Sequence, residues 1–158
     1  MSVENSVTRR AFLGGALCGA ALLAGGEARA AGIPARDVFG LRTKGKDGAI
    51  TGDFHCWAEF YLPGTGWVQV DPADVRKAML NEKLQLGDEA TKKHTEFFWN
   101  GDDLFRIALN RGEHGALFNG MKAEPVGYFM YPYAEVDGKA LDYFDPKNFE
   151  FAVSFRAD

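Results

Sequence analysis

The sequence predicts an α+β fold, in which helices pack against an antiparallel sheet. Residues 54–72 contain two runs of aromatic and β-branched residues on either side of a Pro-Gly-Thr-Gly turn, and this pattern is typical of a β-hairpin. Residues 149–156 alternate apolar residues with other residues, which indicates a strand that packs one face on a core. Two helical patterns lie between these stretches, so both strands and helices contribute to the fold.

The first helical pattern covers residues 75–84, where apolar residues recur at a spacing of three and four, and Asp74 is its predicted cap. The second covers residues 89–99, with acidic residues at its start, and its His94 is expected to be solvated. Further strands are predicted over 35–43, 104–110 and 126–136, and a loop over 111–124.

Composition limits the possible classes of protein. The chain has 158 residues, of which 46% are hydrophobic and 25% charged, and these values fit one globular domain with a core of its own. The net charge of −4 argues against nucleic acid and anionic membranes as partners. No internal stretch is long and apolar enough to span a membrane. The three histidines are dispersed and match no metal-ligand spacing, so we expect no metal and no cofactor.

The first 30 residues have a different character. The run Thr8-Arg9-Arg10-Ala11-Phe12-Leu13 resembles a twin-arginine export signal, and Ala28-Arg29-Ala30 is an A-x-A cleavage pattern. The alternative is an ordinary Ala-rich helix, which is disfavoured because each of its several glycines weakens a helix by about 1 kcal/mol. We therefore predict an export signal over residues 1–30, one domain over residues 31–158, and a periplasmic or secreted location.

The hairpin places two reactive side chains close together. Reflecting the chain about its turn, near residue 63 or 64, puts His55 opposite or nearly opposite Asp71. Side chains that face each other across paired strands have Cβ atoms about 5 Å apart. A carboxylate that accepts a hydrogen bond from one ring nitrogen fixes the tautomer and leaves the other nitrogen as a base. The pair is either part of a catalytic triad or a hydrogen-bonded structural histidine.

Several runs in order resemble the bacterial transglutaminase-like family, which shares the papain-like cysteine-protease architecture. They are His55-Cys56-Trp57-Ala58-Glu59-Phe60-Tyr61-Leu62-Pro63-Gly64, Gly66-Trp67, Asp71-Pro72-Ala73-Asp74-Val75-Arg76-Lys77, Gly32-Ile33-Pro34-Ala35-Arg36 and Phe129-Met130-Tyr131-Pro132-Tyr133-Ala134-Glu135. The resemblance implies a transglutaminase-like core shortened on its N-terminal side. It also implies acyl transfer or hydrolysis at amide bonds of a peptide or protein substrate through a Cys-His-Asp triad. His55 and Asp71 would be two members of that triad.

The position of the nucleophilic cysteine differs from the family's pattern. The resemblance assigns this role to Cys18, but the family's spacing would place the cysteine at Leu17, and one residue on a helix is a rotation of about 100°. Cys56 alternates with His55 along its strand, so it should point to the other face and fill the core. We expect no disulfide between the two cysteines.

Three hypotheses for the front of the chain remain open. Cys18 is the nucleophile and the segment is retained, or the signal is cleaved after Ala30 and Cys18 is lost with it, or the chain is an internally deleted form of a longer exported protein. Loss of Cys18 would leave a catalytically inactive domain that binds a peptide or a cell-envelope partner. Whether the chain is an enzyme, its natural substrate and its oligomeric state are left open by the sequence.

Overall fold

The structure, a computed structural model, describes residues 28–43, 45–99, 103–112, 120, 122 and 130–157. Contacts divide the described residues into two compact units. The first contains the residues up to 38 and those from 55 to 104, and the second contains residues 39–54 and those from 105 onward.

The elements confirm the predicted α+β class. The strands are β1 (Ala35–Arg42), β2 (Gly48–Ala49), β3 (Phe54–Leu62), β4 (Gly66–Val70), β5 (Arg106–Arg111), β6 (Glu135–Val136), β7 (Lys139–Ala140) and β8 (Ser154–Phe155). The helices are α1 (Pro72–Glu82) and α2 (Glu89–Phe97). Strands β4, β3, β1 and β5 form a sheet in that order, and β2–β8 and β6–β7 are separate antiparallel pairs.

The predicted hairpin forms the centre of the first unit. Strands β3 and β4 are antiparallel, with a register that runs from Leu62↔Gly66 at the turn to Ala58↔Val70. The turn needs glycine, because Gly64 and Gly66 have φ of 84° and 103°, where a side chain would be strained. Two-residue periodicity then assigns alternate residues of each strand to the same face.

Helix α1 begins directly after the hairpin. Pro72 occupies the first turn, where its missing N–H costs no hydrogen bond, and Asp71 is the N-cap. The predicted cap, Asp74, is wrong: Asp74 lies inside the first turn and its backbone N–H donates to Asp71 Oδ1 at 2.9 Å. The helix ends at Lys83, whose φ of 58° is left-handed.

Helix α2 packs against α1. His94 of α2 lies 3.0 Å from Glu82 Oε1 of α1, so this residue, predicted to be solvated, is a partly exposed member of an interhelical pair.

Phe60 and Trp99 pack with ring centroids 5.4 Å apart. The buried apolar side chains of this unit come from the strands and from α1: Val38, Cys56, Trp57, Ala58, Val68, Ala73 and Met79.

The residues predicted as a signal-cleavage site belong to the first unit. Residues 28–30 are helical, and the amide of Ile33 donates to the carbonyl of Ala28 at 2.9 Å. Arg29 Nη1 lies 3.6 Å from Asp37 Oδ2, and the Asp37 side chain is almost fully buried. Arg29 therefore supplies a positive charge to a buried carboxylate at the start of β1.

In the second unit the C-terminal strand is shorter than predicted. Only Ser154–Phe155 pairs with β2, although exposed and half-buried residues still alternate over 149–155. The strand predicted over 126–136 is wrong for 130–134, since only Glu135–Val136 forms a strand, and 126–129 lie outside the described residues. Here Tyr131 stacks on Tyr143 with centroids 4.5 Å apart, and Pro132 has no N–H for a ladder.

The predicted loop over 111–124 falls mostly outside the described ranges. Within those ranges, no helix combines the length and the apolarity needed to cross a membrane.

Candidate active site

The hairpin brings His55 and Asp71 into direct contact, as predicted. His55 Nε2 lies 2.5 Å from Asp71 Oδ2. The exposed fractions are 8% for His55 and 1% for Asp71, so the pair is shielded from water. Extending the observed register by one pair puts Trp57 opposite Asp71, which makes His55 the diagonal neighbour of Asp71 on the same face. The observed register is centred on Gly64, within the predicted range, so the prediction that His55 lies opposite or nearly opposite Asp71 is confirmed.

Asp71 divides its carboxylate between two partners. Oδ2 accepts a hydrogen bond from His55 Nε2, while Oδ1 accepts one from the backbone N–H of Asp74 at the start of α1. The carboxylate therefore has a fixed orientation, because the helix holds one oxygen while the other faces the ring. Hydrogen bonds to an ionised carboxylate are among the stronger ones in proteins.

The contact with Asp71 also determines how the imidazole can act. A neutral ring that donates from Nε2 to the carboxylate presents Nδ1 as its basic nitrogen. Trp57, which is buried, stacks on the ring at a centroid distance of 6.3 Å and an interplanar angle of 22°. The indole is therefore an aromatic neighbour of the imidazole on the same face of β3.

A second carboxylate, which was not predicted here, lies close to the same ring. Asp74 Oδ2 is 4.0 Å from His55 Nε2, and the residue is 7% exposed. The sequence holds a signal for it, since Asp74 follows Asp71 by three residues at the start of a helix, and such residues lie on one side of the first turn.

His55, Asp71 and Asp74 are residue types that bind metals, and one ligand atom from each lies within 4.8 Å of the others. Two ligands at about 2.0–2.1 Å from a tetrahedral Zn²⁺ are separated by about 3.3 Å. The shorter separation of 2.5 Å between His55 and Asp71 is that of a direct hydrogen bond. In this structure His55 and Asp71 are therefore joined by a hydrogen bond, with Asp74 as a third group beside them.

The same face of the hairpin continues from the buried pair to exposed aromatic residues. Glu59 accepts a 2.6 Å hydrogen bond from Arg36 Nε of β1. The Arg36 guanidinium lies 3.9 Å above the Trp67 ring, and Trp67 packs edge-on against Tyr61 at 5.6 Å. Tyr61 and Trp67 are 42% and 43% exposed. Glu59, whose role the sequence left undecided, is thus fixed within an ion pair.

Cys56 is buried and oxidised. Cys56 is 1% exposed on β3, in agreement with its predicted place in the core, and its sulfur is in a disulfide. No cysteine of the described part is free, which contradicts the expectation that this chain, with its two cysteines, forms no disulfide. Cys18, the predicted nucleophile, lies outside the described residues.

Comparison with known proteins supports the family. The model of the transglutaminase-like superfamily matches residues 7–72, a stretch that contains Cys18, His55 and Asp71. An uncharacterized protein of Haemophilus influenzae (strain ATCC 51907 / DSM 11121 / KW20 / Rd) is 39% identical over 142 residues. That alignment covers 78% of this chain, and the chain spans 38% of the relative's length. No solved structure matches the chain significantly.

The family match begins inside the predicted export signal. Because the match starts at residue 7 and continues to residue 72, most of the segment assigned to the signal aligns with the family's own sequence. The comparisons therefore do not support a signal peptide over residues 1–30. Over residues 7–72 the chain is therefore similar to the transglutaminase-like superfamily, and the buried His55–Asp71 pair lies within that stretch.

Proposed function

We propose that the chain carries out thiol-dependent acyl transfer or hydrolysis at amide bonds, with Cys18 as nucleophile, His55 as base and Asp71 as the residue that holds the base. The observation that carries this proposal is the buried 2.5 Å contact between His55 Nε2 and Asp71 Oδ2. The superfamily match supports it, because it places Cys18 in the same matched segment as the pair. The substrate class is a peptide or protein amide, either a Gln side chain or a peptide bond.

In the proposed reaction the Cys18 thiol gives its proton to His55 Nδ1. The thiolate attacks the carbonyl carbon, the C–N bond breaks, and the protonated imidazole returns the proton to the leaving amine or ammonia. Water or a second amine then attacks the thioester and gives a proton to His55, which passes it to the departing Cys18 sulfur. Asp71 keeps the tautomer and stabilises the imidazolium during both steps.

Cys56 is not the nucleophile in this proposal. It occupies the opposite face of β3 from His55, since adjacent strand residues point to opposite faces, and its sulfur is in a disulfide. The disulfide favours a second candidate function, in which the domain is inactive and binds a peptide or a cell-envelope partner. The two candidates predict different behaviour on reduction.

The test measures the alkylation of Cys18 by iodoacetamide in the full-length, reduced Cys56→Ser variant, in which one thiol remains. With His55 as its base, Cys18 should react at pH 6–7 more than tenfold faster than an ordinary thiol, whose pKa is about 8.5. Adding His55→Gln should abolish this advantage. The matched control is His94→Gln, which removes another histidine paired with a carboxylate and should leave the rate unchanged.

Two outcomes would contradict the catalytic proposal. One is alkylation of Cys18 at the rate of an ordinary thiol, unchanged by His55→Gln. The other is a mature protein that begins at Ala31, as signal cleavage requires, since that polypeptide has lost Cys18. Intact mass and N-terminal sequencing of the protein from its native cells decide the second point, and cleavage would favour the inactive binding domain and an exported location.

A further inference from the structure

We propose that Asp74 is a positioning residue for His55, acting as a second anion that keeps the imidazole in place and stabilises its protonated form. This inference deepens the proposed function and rests on His55 being its base. Asp74 is distinct from the triad, because it lies within the first turn of α1 and has no role in the bond-making steps described above.

The geometry supports this assignment from two sides. Asp74 Oδ2 is 4.0 Å from His55 Nε2, which is too long for a strong hydrogen bond and short enough for a direct charge interaction. The backbone N–H of Asp74 also holds Asp71 Oδ1 at 2.9 Å. One residue therefore orients the primary carboxylate through its main chain and faces the ring through its side chain.

Burial makes this interaction effective. His55, Asp71 and Asp74 are each less than 10% exposed, so water screens their charges weakly. Two carboxylates that face one imidazole favour its charged form, because an opposite charge within about 4–6 Å stabilises an ionised group. The imidazolium is the form that the proposed reaction creates when Cys18 is deprotonated.

Other charged groups on the elements of the first unit form ion pairs of their own. Glu59, on the same face of β3, pairs with Arg36 of β1 at 2.6 Å. Asp37 of β1 lies 3.6 Å from Arg29. On the helical side, His94 of α2 pairs with Glu82 of α1 at 3.0 Å. Among the described residues, the carboxylates that pair with the imidazole are those of Asp71 and Asp74, at 2.5 and 4.0 Å from Nε2.

The experiment measures the pKa of His55 by NMR titration of the histidine rings in the full chain. A Cys18→Ser background removes the thiol whose ionisation would couple to the ring. Asp74→Asn should lower the His55 pKa by about one pH unit, and Asp71→Asn should lower it further because Asp71 is closer. Asp74→Glu, which restores the charge, should return most of the shift.

The control separates a charge effect on His55 from a general effect on a helix start. Glu89→Gln removes the first-turn acidic residue of α2, which is exposed, and should leave the His55 pKa unchanged. An unchanged His55 pKa in Asp74→Asn, even with a lower melting temperature, would overturn the proposal and leave Asp74 a helix-stabilising residue. Should Asp74→Asn fail to fold, Asp74→Ser is measured instead and judged by the same shift.

The pH dependence of activity provides a second test, and its outcome can be distinguished from that of the NMR titration. In an otherwise unmodified chain, Asp74→Asn should move the limb of the pH–rate profile that reports the imidazole to lower pH, because the ring loses its proton more easily. If Cys18 proves unreactive, the proposed function fails, but the NMR titration still decides whether Asp74 controls His55. If Cys18 is reactive and the His55 pKa ignores Asp74, only the present inference fails.

Discussion

Asp71 has two separate roles at the scale of single residues, and mutation can separate them. Its Oδ1 caps α1 and its Oδ2 holds His55. Asn is as good an N-cap as Asp but carries no charge, whereas Ala can neither cap the helix nor hold the ring. Asp71→Asn should therefore keep most of the stability and lose thiol reactivity, and Asp71→Ala should also lose about 1 kcal/mol of unfolding free energy.

Urea denaturation and iodoacetamide kinetics on the same preparations test this prediction. Asp88→Asn, at the N-cap position of α2, is the matched control and should change neither quantity appreciably. Equal stability losses in Asp71→Asn and Asp71→Ala would contradict a separable capping role.

Tyr133 provides a prediction about protonation. Burial, together with the hydrogen bond that its hydroxyl donates to Glu135 and the negative charge of Glu135, raises the pKa of Tyr133 from 10.0 to about 12. The unfolded chain, in which the pKa of Tyr133 is 10.0, therefore loses this proton at a lower pH than the folded chain. The contribution of the protonated Tyr133 to the free energy of unfolding is present below pH 10 and is lost as the pH rises to about 12.

Glu135→Gln should lower the pKa of Tyr133 towards 10.0, because the amide can accept the hydrogen bond but does not repel the phenolate. The measurement is an NMR titration of ¹³C-labelled tyrosine rings, with the exposed Glu150→Gln as control. If the pKa stays near 12 in Glu135→Gln, burial alone causes the shift.

His55 and Asp71 could be predicted from the sequence because the turn near residues 63 and 64 sets the register of the hairpin, and strand alternation places both side chains on one face. The second carboxylate was missed because the distance from Asp74 to the ring depends on the direction in which α1 leaves the sheet. Hydrophobic patterns do not encode that direction. The disulfide at Cys56 was missed for a similar reason, since pairing depends on a distance that strand alternation does not give.

At the scale of elements, the hairpin turn controls the register that aligns the site. Gly66 has a φ of 103°, a conformation that L-residues rarely adopt, so Gly66→Ala should cost about 1–2 kcal/mol of unfolding free energy. Thermal or urea denaturation measures the loss. Gly52→Ala is the control, because Gly52 lies in open space without a positive φ, and an equal loss there would contradict the explanation.

The end of α1 offers a stabilising change. Lys83 occupies the C-cap with a φ of 58°, a position at which glycine has no steric penalty. Lys83→Gly should therefore raise the unfolding free energy by about 0.5–1 kcal/mol. Urea denaturation measures the change. The control is Lys93→Gly, a substitution inside α2 that should lower the free energy of unfolding. A loss of stability in Lys83→Gly would refute the prediction.

Elements defined by local pattern were predicted better than those defined by packing. Strand β1, the hairpin and both helices lie within a few residues of their predicted bounds, since each has a clear periodicity and its own breaking residues. Residues 149–156 have the clearest alternation, yet only Ser154–Phe155 pairs. Alternation in the sequence indicates which face of a segment is buried. A strand also needs a neighbouring strand whose backbone can form hydrogen bonds with it.

At the scale of the whole molecule, we expect both the melting temperature and the reactivity of the Cys18 thiol to depend on whether residues 1–30 are retained. A chain that begins at Ala31 lacks Cys18 and lacks Arg29, which faces the buried Asp37 carboxylate. It should show no activated thiol and should melt below the full chain. Arg29→Ala in the full chain isolates the ion-pair contribution, which should be about 1 kcal/mol because Arg29 is partly exposed. Equal melting temperatures of the full and shortened chains would contradict this expectation.

The fold class was predictable from the sequence because hairpin, helices and C-terminal alternation independently indicated α+β. The role of residues 1–30 was not determined by the sequence pattern, because a Gly- and Ala-rich stretch behind paired arginines is compatible with two interpretations. Its composition fits an export signal, while its position fits a family segment that starts at residue 7.

The shared carboxylate of Asp71 has a consequence for heat inactivation. Warming frays the first turn of a helix before the rest of a protein unfolds. Once that turn opens, the carboxylate is free to rotate and the ring loses its anchor while the sheet is still intact. Reactivity should therefore decline at temperatures where circular dichroism still reports a folded protein, and a stronger start to the helix should extend the working range.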